Sequence, residues 1–255
     1  MIETMTSTNP LNGERTRLTV ERRFLPNAKH GVKLVKRADA AADSIPEIAG
    51  VAAVYYNADD PAGTQYQLWD NVFERILPGA FDKAVGRDDV RALQNHDPRL
   101  LLGRTASKTL ELKATADGLE YVIQPPNTTA GRDTVESLAR GDIDGSSFAF
   151  SIDAGGVEWT RETVEVNGNT ISLDIRNIKA VKLYDVGPVT YPAYSGTSSG
   201  TRAPGVFLID ARSDGSAEMR AIQDEHAEFR AKLENPTAAA SRLRRCRLAE
   251  LASVE

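Results

Sequence analysis

Leu110-Glu111-Leu112-Lys113-Ala114, Thr115-Ala116-Asp117-Gly118, Leu119-Glu120-Tyr121-Val122-Ile123 is the stretch on which the fold class turns. Leu110, Leu112 and Ala114 alternate with charged residues, and Leu119, Tyr121 and Ile123 alternate again. Strand side chains point to opposite faces in turn, so this period of two gives each segment one core face. Asp117-Gly118 is a favoured two-residue turn, because glycine accepts a left-handed backbone. The pattern recurs with Val164 and Val166, Asn167-Gly168, then Ile171, Leu173 and Ile175. Two such hairpins argue for a mainly β domain.

Further strands are expected outward from this pair. Ala49 to Tyr56 is a short apolar run, Tyr66 to Ile76 reads as one extended segment, and Val90 to Leu93 leads to His96. Phe148, Phe150 and Ile152 alternate, and Ile178 to Val189 runs to a break near Gly187-Pro188. Two helices interrupt the strands. Ala80 to Val85 fits one or two turns closed by Gly86, and Thr129 to Arg140 carries Val135, Leu138 and Ala139 on one face before Gly141. The fold class is mainly β with helices (α+β), and many short strands joined by tight turns predict a barrel or sandwich. The main domain spans 48–195, after a flexible leader over 1–47. Residues 196–216 are rich in Ser, Gly and Thr and read as a linker. Residues 217–255 form a helical tail in which Met219, Ile222, His226, Phe229 and Leu233 step by three and four, with a second, basic helix over 238–252.

Composition narrows the function. A net charge of −5 over 255 residues does not suit a general nucleic-acid binder. No apolar run approaches the roughly 20 residues that span a bilayer, and the first twenty residues lack a signal-peptide core. The single cysteine, Cys246, excludes an internal disulfide framework. The three histidines, His30, His96 and His226, show no metal-ligand spacing, and no phosphate-binding glycine loop is present, so no cofactor and no metal are expected.

The chemistry gathers between Gln94-Asn95-His96-Asp97 and Gly145-Ser146-Ser147-Phe148-Ala149-Phe150. A serine hydroxyl is a weak nucleophile and needs a base, for which histidine has a suitable pKa. A regular strand from 146 onward puts Ser146 on the core face with Phe148 and Phe150, and Ser147 on the opposite face with Ala149 and Ser151. A bulge at Gly145-Ser146 would exchange the two. Asp185 lies in an otherwise apolar strand, where a carboxylate needs a partner such as a histidine. Arg104 and Arg140 are side-chain candidates for stabilising an oxyanion.

Six motifs in order carry a resemblance: Glu74-Arg75-Ile76-Leu77-Pro78-Gly79-Ala80-Phe81, Asn95-His96-Asp97, Leu102-Gly103-Arg104-Thr105, Asp117-Gly118-Leu119, Gly145-Ser146-Ser147-Phe148-Ala149-Phe150 and Val189-Thr190-Tyr191-Pro192-Ala193-Tyr194. Over about 48–200 the chain resembles the prohead (capsid maturation) proteases of tailed bacteriophages. The resemblance implies a serine endopeptidase with an assemblin-like β-barrel surrounded by short helices, plus the helical C-terminal arm. It implies His96 as general base, Ser147 as nucleophile and Asp185 as the third member, aspartate standing where the family pattern has glutamate. It implies packaging inside the immature capsid in the bacterial host cytoplasm, cleavage of scaffold or of the scaffold segment of the major capsid protein, and self-cleavage. The partners expected are the major capsid protein, the scaffold protein or both, with a homo-oligomer open and with neither nucleic acid nor membrane required. The rival is a non-enzymatic capsid or scaffold-binding assembly protein, which the heptad-like tail would serve equally well.

Overall fold

The computed structural model describes residues 6–8, 15–17, 20–25, 32–36, 44–166, 168–190 and 215–234. The chain divides into two units, Met1–Ser213 and Asp214–Glu255. The first opens with β1 (Thr6–Thr8) and β2 (Arg15–Arg17), which pair with each other, then β3 (Glu21–Leu25), β4 (Lys33–Val35) and β5 (Glu47–Val54). The four-residue helix α1 (Pro61–Thr64) follows, capped by the Asp60 side chain, which accepts from the Gly63 amide. Next come β6 (Gln65–Trp69), β7 (Val72–Ile76), α2 (Asp82–Arg87), β8 (Arg91–Leu93), a 3-10 turn over Gln94–His96, and β9 (Leu101–Arg104). The hairpin β10 (Leu110–Ala114) and β11 (Gly118–Ile123) precedes α3 (Thr129–Arg140). The strands β12 (Gly145–Ile152), β13 (Val157–Val166), β14 (Asn169–Ile178) and β15 (Val181–Val189) complete the unit. The second unit contributes α4 (Gly215–Glu234), on which the His226 and Phe229 rings stack at 6.4 Å.

Three larger sheets carry the fold, ordered β10-β11-β5-β4, β3-β12-β15-β8-β9 and β13-β14-β7-β6. The mainly β character with a few helices agrees with the sequence reading, but the expected barrel is not formed. Among the described residues each sheet starts and ends on a different strand, with no pairing between its ends. Closure needs one consistent stagger around the ring. Here the hairpin β13–β14, with two strands of ten residues each, leaves the line from β12 to β15 and its β14 pairs in parallel with β7, while β15 pairs in parallel with β8.

Local departures have local causes. The hairpin at 110–123 turns through three residues, because Gly118 already belongs to β11: a Cβ there would collide with the Ala53 carbonyl of β5. Tyr66 to Ile76 folds back on itself at Asp70-Asn71, where Asn71 takes a left-handed φ of 58°. Residues read as a loose leader supply β3 to the edge of β12 and β4 to the edge of β5. The linker residues 196–214, the second tail helix, His30 and Cys246 lie outside the described residues.

The core is aliphatic around one aromatic run. Tyr55 stacks on Phe81 at 5.8 Å, Phe81 meets Phe148 edge-on at 5.6 Å, and Phe148 stacks on Phe150 at 5.0 Å. Such pairs add about 0.5–1.5 kcal/mol each beyond area burial. They fix the inner face of β12, and so the register of Ser146 and Ser147.

Candidate active site

His96 is placed by a short parallel pairing and a strained turn. Arg91 and Ala92 of β8 lie opposite Asp185 and Val186 of β15. The chain then reverses through Asn95 and His96, both left-handed at φ 54° and 56°. That conformation costs about 1–2 kcal/mol for an L residue, and Asn and His are among the residues that adopt it most often. Two bonds hold the turn: Asn95 Nδ2 donates to Thr190 Oγ1 at 3.0 Å, and the Thr190 amide donates to Asn95 Oδ1 at 2.8 Å. Behind the turn Thr134 of α3 donates to Gln94 Oε1 at 2.9 Å. Gly187 permits the approach, since a Cβ there would collide with the Leu93 carbonyl.

The geometry brings the three sequence-predicted residues together. Asp185 Oδ1 lies 2.5 Å from His96 Nδ1, and Ser147 Oγ lies 2.6 Å from His96 Nε2. Asp185 sits where β15 holds one more residue than β12: Ala149 faces Asp185 and Phe150 faces Leu183. A bulge re-aims the side chain beside it, and here the re-aimed group is the carboxylate. β12 itself runs without a register shift against β3, so the alternation expected from the sequence applies to it. Phe148 and Phe150 fill the core, and Ser146 donates to the buried Tyr121 hydroxyl at 3.0 Å. Burial pushes that phenol well above its ordinary value.

The face of Ser147 is not the open cleft that its small residues suggest. Ser147 is only 1% exposed. β3 lies along this edge of β12, with Phe24 opposite Ser147 and Arg23 opposite Phe148, and Ser147 Oγ donates to the Arg23 carbonyl at 2.9 Å. On the opposite face of the sheet, the core face of Phe148 and Phe150, the Glu21 and Arg23 side chains of β3 enter a buried ring of four charges, with Arg23 over the Phe150 ring at 5.4 Å. Arg23 donates to both oxygens of Glu74, at 2.5 and 2.8 Å, and to Glu21 at 2.8 Å. Arg176 donates to both oxygens of Glu21, at 2.7 and 2.9 Å, and to Glu74 at 2.7 Å. Burial would raise the Glu74 carboxyl, but the charges and bonds of Arg23 and Arg176 carry it below its ordinary value.

Other candidates are engaged elsewhere. Asp97, next to His96, is held at about 2 by the Arg99 side chain and amide. Arg104 is taken by Asp89, and Arg140 by Asp142, in exposed ion pairs. His226 lies on α4, in the other unit. No cluster of metal-ligating side chains occurs among the described residues. Sequence reasoning missed Asn95, Thr190 and the four-charge ring. The available signal was charge at inward strand positions, Glu74 between Phe73 and Arg75 and Arg176 between Ile175 and Asn177.

A carboxylate, an imidazole and a hydroxyl in hydrogen-bonded sequence on a mainly β domain is the arrangement of a serine hydrolase. The chain belongs to the caudovirus prohead serine protease family, whose model matches residues 33–205. A search of the curated proteins and one of the solved structures returned no match. Membership implies serine peptidase activity in phage capsid maturation, inside the prohead in the host cytoplasm. No described helix is long and apolar enough to cross a membrane.

Proposed function

We propose that the protein is an endopeptidase in which Ser147 is the nucleophile, His96 the general base and acid, and Asp185 the group that orients His96. The observation that carries this is the continuous line from Asp185 Oδ1 through the His96 ring to Ser147 Oγ. Ser147 Oγ attacks the scissile carbonyl carbon while its proton passes to His96 Nε2. The imidazolium then hydrogen-bonds through Nδ1 to Asp185. As the tetrahedral intermediate collapses, the C–N bond breaks and Nε2 returns the proton to the leaving amine. Water repeats the sequence in reverse roles and releases the acyl group as an acid. The substrates are the scaffold protein, or the scaffold segment of the major capsid protein, and the enzyme's own 196–216 segment. The stripe Met219, Ile222, Phe229 and Leu233 recruits the enzyme to shell or scaffold.

Co-expression with the capsid protein of the same virus, followed by mass spectrometry of the products, tests the activity. Defined cuts that vanish in Ser147→Ala support the reading. Particles that assemble uncut with the unaltered chain favour a purely structural role. An intact 196–216 segment in aged, active enzyme removes the self-cleavage claim, and normal packaging of a chain ended after Gly215 removes the recruitment claim.

A further inference from the structure

The strand β3 lies where an extended substrate would lie. Proteins that bind extended peptides add them as a strand to a sheet edge, with backbone bonds giving affinity and side-chain pockets giving choice. β3 runs antiparallel along the strand that holds Ser147, and its Arg23 carbonyl is the one bonded to the Ser147 hydroxyl. That bond is a non-productive one. The hydroxyl carries a single proton, which it cannot give to the Arg23 carbonyl and to His96 Nε2 at once. While it points to the carbonyl, the base has nothing to accept.

The side chains of β3 show what the pocket recognises. Glu21 and Arg23 share one side of the strand and enter the ring with Glu74 and Arg176, which come from β7 and β14 and face each other in register. Every charge in the ring has an opposite neighbour, so burial is tolerated; one partner missing would leave a buried charge uncompensated. If β3 leaves, Glu74 and Arg176 still hold each other at 2.7 Å. The pocket therefore remains a neutral pair with one carboxylate and one guanidinium able to receive the reverse arrangement.

We propose that β3 occupies the substrate-binding edge in cis as an inhibitory pseudo-substrate, and that the Glu74–Arg176 pair is a specificity pocket for extended segments carrying glutamate and, two residues later, arginine. This rests on the reading of Ser147, His96 and Asp185 above. Glu74 selects the arginine through two parallel bonds, a geometry lysine cannot reproduce. Arg176 selects the carboxylate two positions earlier. Displacement of β3 by such a segment of a capsid protein opens the site where that protein is concentrated.

The test is the rate at which a fluorophosphonate labels Ser147 in the full chain. The labelling rate scales with the fraction of molecules whose edge is open. The double variant Glu21→Ala/Arg23→Ala keeps the Glu74–Arg176 pair and should label about tenfold faster or more. A peptide of residues 19–27 added to that variant should slow labelling, and the same peptide with alanine at positions 21 and 23 should not. If the double variant fails to fold, Arg23→Lys replaces it, with a rise of about threefold expected from the lost fork to Glu74. Equal rates in the folded variant and the unaltered chain, or equal inhibition by the two peptides, overturn the proposal. His96→Ala separates the two levels: labelling that depends on His96 but not on Glu21 and Arg23 keeps the site and discards the strand, while labelling in none of the chains discards the site itself.

Discussion

Two buried polar constellations flank β12, and they are built in opposite ways. The Asp185–His96–Ser147 line is open-ended: it runs from a carboxylate to a hydroxyl that also meets the Arg23 carbonyl, and it rests on two left-handed residues. The ring of Glu21, Arg23, Glu74 and Arg176 is closed, with every charge held by two opposite ones. A closed ring lowers the energy of the state in which β3 is seated, so a segment that displaces β3 must bring matching charges. An open line stores local strain to keep its groups ready, and strain of this kind collects at functional sites. The difference predicts that substitutions in the line change rate with little effect on folding, and that substitutions in the ring change folding first.

The largest effect should come from the line. Ser147→Ala or His96→Ala should reduce processing by about 10^6-fold, since members of such a unit act together. The melting temperature should stay within a few degrees of the unaltered chain. Asp185→Asn should keep the geometry and favour the wrong tautomer, for a loss of about 10^4-fold, read as product formation in the co-expression assay. An intact rate in Asp185→Asn would show that another group orients His96.

The ring should answer in stability. Arg176→Met leaves two carboxylates with one guanidinium, and breaking a buried pair in this way costs about 3–5 kcal/mol, measurable by denaturant unfolding. The ring also sets an acid limit. The Glu74 carboxyl is lower in the folded chain than its ordinary 4.5, so the unfolded chain binds protons first as pH falls. Its contribution is complete above about 4.5 and is lost as pH drops through the folded value. Glu74→Gln should be less stable at neutral pH and should lack this part of the acid dependence. An acid unfolding curve of unchanged slope in Glu74→Gln would place the acid limit elsewhere.

Asn95 sharpens the contrast, because it supports the line without belonging to it. Asn95→Gly keeps access to the left-handed backbone and removes both bonds to Thr190. The turn should still form, but His96 should sample positions away from Ser147. Small misplacements of a catalytic group cost about 10^2-fold, so kcat should fall by that order while KM holds. A rise in KM alone would make Asn95 a substrate contact instead.

These two constellations were also unequally legible in the sequence. His96, Ser147 and Asp185 could be named because each breaks a local pattern: a histidine at a strand end, a serine at the head of an apolar alternation, an acid inside an apolar strand. The hairpins at 110–123 and 157–178 and the helix at 129–140 were readable for the same reason, since period and turn residues act locally. The ring was not readable. Its members come from three distant stretches, Glu21 and Arg23 on β3, Glu74 on β7 and Arg176 on β14, which meet only through the parallel pairing of β14 with β7 and the placement of β3 on β12. β3 itself carries Glu21, Arg22 and Arg23 in a row, a pattern that resembles a solvated leader until its buried partners are known. The open sheets were hidden by the same long-range pairings, because alternation tells which face is inward but not which strand lies next door.

The smallest effect belongs to Ser146, and it tests the boundary of the line most directly. Ser146 and Ser147 are adjacent, both about 1% exposed, and chemically identical. What separates them is the face of β12. Ser146 gives its proton to Tyr121, whose ring lies over Gly50 so closely that a Cβ there would sit 2.6 Å from it. Removing this hydroxyl deletes one neutral buried hydrogen bond, worth about 1 kcal/mol, and that should lower the melting temperature by about 2–4 °C for a domain of this size. The loss in processing should be at most about tenfold, since the backbone at 146 stays in place beside the nucleophile. The same substitution one residue on also deletes a buried hydrogen bond, to the Arg23 carbonyl, so it should lower the melting temperature by a similar few degrees, but it should abolish processing. The two variants therefore match in stability and part in the reaction: one keeps it, the other loses it. If Ser146→Ala is inactive while Ser147→Ala still cuts, then the alternation along β12 fails as a guide to the nucleophile, and the short contact from His96 to Ser147 serves structure instead of chemistry.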